Sequence, residues 1–148
     1  MLEEGKCPIT RVQSFLGDFV ASRKILVLDD EPAVAGLYAL ALENAGYEVI
    51  VCTRFDEARA YVKDHVLDGV LTDIRVGEYN GLQLAILFRS LRPHGALLIV
   101  SGHEDPVIRK EVEQMDATFL LKPIALDDLD RFFARQSNQD SPATTETR

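Results

Sequence analysis

Four stretches of this 148-residue chain set reactive side chains directly after short apolar runs. Ile25-Leu26-Val27-Leu28 leads into Asp29-Asp30, and Gly69-Val70-Leu71 leads through Thr72 into Asp73. Ala96-Leu97-Leu98-Ile99-Val100 leads into Ser101, and Phe119-Leu120-Leu121 into Lys122-Pro123. Taken singly, each is ordinary. An Asp-Asp pair after a strand serves as a turn and a helix cap, Ser101-Gly102 starts a loop, and Lys-Pro alone carries almost no information. Together they amount to three carboxylates, a hydroxyl and one ammonium. Carboxylates gathered in one cleft repel each other and stay ionised only beside a cation. A hard divalent ion neutralises such a cleft, and Mg²⁺ suits a site of one or two carboxylates, waters and phosphate oxygens. A phosphoryl group placed on Asp73 would bring new negative charge, which Lys122 and the Ser101 hydroxyl could meet. The residue types point to phosphoryl transfer onto a carboxylate.

For these residues to meet, the apolar runs must be strands of one sheet. The four lack alternation, the pattern of strands covered on both faces. A fifth, Tyr47-Glu48-Val49-Ile50-Val51-Cys52, is more mixed and suits an edge. Helical segments separate them: Ala33 to Ala45 with Pro32 in the first turn, Asp30 or Glu31 near the cap and Gly46 at the end, then Glu57 to Asp64, Leu82 to Leu91 and Val107 to Met115. The last runs from Asp127 to Arg135, with Leu126, Leu129 and Phe133 on one face. Strand and helix alternate five times, which predicts an α/β fold with a doubly wound parallel sheet. Ligands of such sheets bind beyond the carboxyl ends of the strands, near the switch in strand order, where all four motifs fall.

Composition sets the class. Hydrophobic residues make up 47% and charged residues 27%, as in ordinary globular domains. No apolar run approaches the ~20 residues of a membrane span, and the acidic start has no signal-peptide pattern, so the expected location is cytoplasmic. A net charge of −8 argues against direct nucleic-acid binding. Cys7 and Cys52 have no metal-binding or disulfide-framework spacing, so neither is expected. Three segments are predicted: an extension over 1–22, a domain over 23–136, and a disordered polar tail over 137–148. Within the extension, Val12, Phe15, Leu16, Phe19 and Val20 follow the spacing of an amphipathic helix from Thr10 to Ser22. That helix either docks on its own domain or pairs with a second chain as a homodimer.

Val27-Leu28-Asp29-Asp30-Glu31-Pro32, Thr72-Asp73, Asn80-Gly81-Leu82, Val100-Ser101-Gly102 and Phe119-Leu120-Leu121-Lys122-Pro123 resemble, in order and spacing, the receiver domain of bacterial two-component response regulators. The resemblance covers about residues 23 to 136 and is to stand-alone, chemotaxis-regulator-like members. It implies a five-stranded flavodoxin-like sheet in the order 2-1-3-4-5. It makes Asp73 the acceptor of a phosphoryl group from a sensor histidine kinase or a histidine phosphotransfer protein. It assigns Mg²⁺ to Asp30 directly, Asp29 largely through water, Asp73 and the Arg75 carbonyl. Lys122, with a cis bond to Pro123, would pair with the phosphoryl oxygens. Ser101 would be the switch hydroxyl, and Phe119 the aromatic that turns inward behind it. Output would be a changed surface read by a downstream protein target. Such a domain is a signalling phosphoacceptor that assists its own phosphorylation and dephosphorylation, not an enzyme. The chain departs from the family at Val76 and Gly77, where Met-Pro is usual, and in carrying Phe119 in place of the commoner tyrosine. Arg75 and His103 take positions that flank the phosphoryl group and tune its hydrolysis.

Rival readings fit less well. Aspartyl-phosphate phosphatases resemble Asp-x-Asp-x-Thr after the first strand, which Asp29-Asp30-Glu31-Pro32 does not match. A nucleotide or flavin site would need a glycine-rich phosphate loop there. A pseudo-receiver, an interaction module without phosphotransfer, would have lost an acidic residue, the acceptor or the lysine. Too few residues follow Pro123 for a DNA-binding output domain, so a stand-alone receiver or one excised from a larger protein is expected.

Overall fold

The structure, a computed structural model, describes residues 9–10 and 22–139, with side chains from 22 to 136. The four unalternating apolar runs become β2 (Lys24–Leu28), β4 (Gly69–Asp73), β7 (Ala96–Ser101) and β8 (Thr118–Leu121), and the mixed run becomes β3 (Glu48–Cys52). Every residue of β4 and β7 is buried, as expected for strands covered on both faces. These five strands are parallel in the order β3-β2-β4-β7-β8, the expected 2-1-3-4-5.

The sheet carries one strand more than expected. β1 (Ile9–Thr10) pairs antiparallel with the outer edge of β3, Ile9 opposite Ile50 and Thr10 opposite Val49. Thr10, expected at the head of the amphipathic helix, is in extended backbone instead. An unpaired strand edge offers a row of free N–H and C=O groups, and that demand outweighs the local helical pattern. The rest of the expected helix, residues 11–21, lies outside the described residues. So do residues 140–148 of the expected tail.

Helices α1 (Pro32–Asn44), α2 (Phe55–Asp64), α3 (Gly81–Leu91), α4 (Pro106–Gln114) and α5 (Leu126–Gln139) connect or follow the strands. α1 and α5 cover one face through Tyr38, Leu42, Leu129 and Phe133. α2, α3 and α4 cover the other through Tyr61, Leu84, Phe88 and Val112. α2 begins two residues earlier than expected because Phe55 is buried and Asp56 and Glu57 then sit in the first turn, beside the positive end of the helix. α5 continues past Arg135 and the expected boundary at 136 to Gln139. Cys52 is disulfide-bonded, against the expectation from the cysteine spacing, and its partner lies outside the described residues.

At the end of the sheet away from the reactive motifs, Arg89 fastens α3 to its surroundings. Its guanidinium donates to the carbonyls of Met115, Arg92, Pro93, Gly95 and Asp116 at 2.8–3.1 Å.

Candidate phosphoacceptor site

Strand register brings the motifs together. Leu28 lies beside Thr72, Asp73 beside Val100, and Ser101 beside Leu121. Asp29 follows β2, Asp73 ends β4, Ser101 ends β7 and Lys122 follows β8, so all four meet at one edge.

Asp29 is 1% exposed, and both its carboxylate oxygens are engaged. Oδ1 accepts from the backbone N–H of Glu31 at 3.0 Å, and Oδ2 accepts from Lys122 Nζ at 3.0 Å. Lys122 Nζ also donates to Asp73 Oδ2 at 3.0 Å. The chain sets this lysine by donating Lys122 N–H to the Ser101 carbonyl at 2.8 Å and by a cis bond to Pro123. Burial works against the charge on Lys122, yet hydrogen bonds and attraction from Asp73 and Asp29 hold its ammonium well above the usual lysine range. Burial raises the Asp73 carboxyl above its ordinary value; Lys122 offsets part of that, and the Asp29 charge adds to it. One ammonium shared by two carboxylates is strongly held, while Asp73 is left short of positive charge.

The third carboxylate supplies the reason to look for a cation. One oxygen each from Asp29, Asp30 and Asp73 lie within 4.8 Å of one another. Three carboxylate oxygens gathered this closely suit a hard divalent ion such as Mg²⁺, which Asp29, Asp30 and Asp73 would hold directly or through water. Asp30 is exposed, and its Oδ2 accepts from the Gly77 N–H at 2.9 Å.

Ser101, 8% exposed, faces its own loop: Oγ donates to the His103 carbonyl and accepts from the His103 N–H, both at 3.1 Å. Both bonds tie the hydroxyl to the loop that follows β7. Phe119 is already buried, with the Arg109 guanidinium 4.5 Å from its ring centroid. Arg109 is held in turn by Glu104 at 2.8 and 3.0 Å. Arg75 and His103 are exposed, Arg75 two residues beyond Asp73 and His103 two beyond Ser101.

Some residues that shape the site were named in the sequence only as motif letters, with no role attached. Thr72 Oγ1 donates to the Asp73 carbonyl at 2.9 Å. Gly81, capped through Asn80 Oδ1 accepting from Leu82 N–H, packs against the same carbonyl so closely that a Cβ would lie 1.8 Å from it. The loop after Asp73 forms a hairpin, β5 (Arg75–Val76) and β6 (Tyr79–Asn80), with Gly77 at φ +60°. A glycine as the first of two turn residues is the pattern of a tight hairpin, so the signal was present in Val76-Gly77-Glu78-Tyr79.

The response regulator receiver domain family model matches residues 25–133. The chain belongs to this family. The receiver domain is 32% identical over 116 residues to the alginate biosynthesis transcriptional regulatory protein AlgB of Pseudomonas aeruginosa, covering 76% of this chain and 25% of that protein. It is 28% identical over 123 residues to the transcriptional regulatory protein GlrR of Escherichia coli, covering 82% and 28%. The chain thus spans about a quarter of the length of these relatives. A response regulator receiver protein from Sinorhizobium medicae superposes with a TM-score of 0.74 at 26% identity, covering 80% of this chain and 97% of that one. Among the described residues, no helix of the receiver is long and apolar enough to cross a membrane.

Proposed function

We propose that Asp73 accepts a phosphoryl group from the phosphohistidine of a sensor histidine kinase or histidine phosphotransfer protein in the cytoplasm, and that the phosphorylated receiver signals by binding a downstream protein. The observation that carries this is the Lys122 ammonium, 3.0 Å from both Asp29 and Asp73 at the mouth of a three-carboxylate cluster. A carboxylate oxygen of Asp73 forms the bond to phosphorus, the P–N bond breaks, and its electron pair stays with the imidazole. Asp29, Asp30, Asp73 and the Arg75 carbonyl would hold Mg²⁺, which when bound neutralises phosphoryl and carboxylate charge. Lys122 meets the charge on the transferred group. Ser101 gains a charge-assisted hydrogen bond only when Asp73 is phosphorylated, so phosphorylation favours a conformer in which the His103 loop has released it.

The site of modification tests this reading. After incubation with acetyl phosphate and Mg²⁺, borohydride reduction should convert residue 73 to homoserine, mapped by peptide mass spectrometry. Homoserine elsewhere, or none in folded protein exposed to both acetyl phosphate and a phosphohistidine donor, would overturn it.

A further inference from the structure

Two of the three clustered carboxylates, Asp29 and Asp73, are held by Lys122. Asp30 is held from elsewhere, by the Gly77 N–H, 47 positions away in sequence. That donor is well supported. Gly77 sits in the turn of a hairpin whose strands pair Arg75 with Asn80 and Val76 with Tyr79. The Tyr79 ring stacks on Phe55 with centroids 4.7 Å apart and planes 11° apart, and Phe55 is buried at the head of α2. A line of support thus runs from the core through Phe55, Tyr79 and the turn to the Asp30 carboxylate.

An exposed carboxylate otherwise samples several rotamers, and binding a cation must freeze them. A carboxylate has about four acceptor positions. One N–H occupies a single position and leaves the rest for metal and water. The tie therefore orients Asp30 without displacing a ligand. It also depends on residue 77 having an N–H, which proline lacks.

We propose that Gly77 is a positioning residue for the cation, its N–H presetting Asp30 for Mg²⁺. The inference rests on the reading of the site as a Mg²⁺-dependent phosphoacceptor. Because Asp30 and the turn are open to solvent, the tie is worth a few-fold in affinity and not orders of magnitude.

Calorimetric titration of MgCl₂ into the full chain tests it, with folding checked by circular dichroism. Gly77→D-Pro, introduced by peptide ligation, removes the N–H while keeping the positive φ of the turn, and should weaken Mg²⁺ binding about fivefold. Gly77→Asn keeps the N–H, tolerates the positive φ and meets nothing within 4 Å of its Cβ, so it should bind like wild type. Tyr79→Ala, a half-exposed position whose loss spares the core, frees the hairpin from Phe55 and should weaken binding about twofold. Wild-type affinity in Gly77→D-Pro would overturn the proposal, as would equal losses in Gly77→Asn and Gly77→D-Pro. A wild-type chain that fails to bind Mg²⁺ at all would instead overturn the underlying site reading.

Discussion

Replacing Gly81 by alanine should cripple phosphorylation while leaving all the charged groups in place. A Cβ at this position would stand 1.8 Å from the Asp73 carbonyl oxygen and 2.8 Å from Thr72 Oγ1. Ordinary contact begins at 3.4 Å, so the first gap, at 1.8 Å, must open by about 1.6 Å. Neither side yields easily. The carbonyl belongs to β4, whose last residue is paired with Val100, and Gly81 opens α3 with its N–H donated to the Ile74 carbonyl at 2.6 Å. The shift therefore falls on the strand end that carries Asp73. A misplacement of ~1 Å at a reacting group costs on the order of 100-fold in rate. Forcing one extra methyl into a packed site costs about 1–3 kcal/mol, which lowers Tm by roughly 4 °C for each kcal/mol in a domain of this size. The assay is intact-mass measurement of the phosphorylation rate with acetyl phosphate at saturating Mg²⁺, beside a thermal melt. A Gly81→Ala protein phosphorylated at the wild-type rate, with an unshifted Tm, would show that the Asp73 carbonyl does not hold this position to glycine.

Other outcomes follow from the same geometry. The Asp73 carboxyl is raised in the fold, so in the absence of Mg²⁺ the native state holds its proton more tightly than the unfolded chain does. Its contribution to stability is present at low pH and is lost as pH rises through the carboxyl range to the folded value, by about 1.4 kcal/mol for each pH unit by which the folded value exceeds the unfolded one. Denaturant titrations of metal-free protein should accordingly show Asp73→Asn more stable than wild type at pH 7, with the difference gone near pH 3; equal stability at pH 7 would count against the strained acceptor. Loss of Arg75 and His103 side chains together should shorten the phosphoryl half-life by opening the path of attacking water, and an unchanged half-life in Arg75→Ala/His103→Ala would remove that role. Arg89→Met should destabilise the fold by about 3 kcal/mol, because it orphans several backbone carbonyls, without changing the phosphorylation rate of folded protein at saturating Mg²⁺.

The parallel sheet and the site were legible for one reason: buried strands announce themselves as unbroken apolar runs, and the chemistry follows directly after each. Asp29, Asp73, Ser101 and Lys122 could be placed on one edge from that alone. What the runs could not show was orientation. The Ser101 hydroxyl is turned to His103 and Phe119 is already buried under Arg109, both set by side-chain choices that leave no periodic trace. The β1 strand was missed because two residues are too short for a pattern, and only the open edge of β3 gives them a partner. Gly81 was visible as a motif letter, but its reason, contact with the Asp73 carbonyl, exists only once α3 is folded against β4. Gly77 had a readable turn signal, yet its bond to Asp30 spans 47 positions, beyond any local rule.

The proposed role of Asp73 is that of a Mg²⁺-dependent phosphoacceptor. Intact-mass spectrometry after incubation with acetyl phosphate, with and without Mg²⁺, on wild type and Asp73→Asn, tests it most directly. The predicted result is a single phosphoryl adduct that requires both the metal ion and Asp73. An adduct that persists in Asp73→Asn, or one that forms equally well without Mg²⁺, would contradict it.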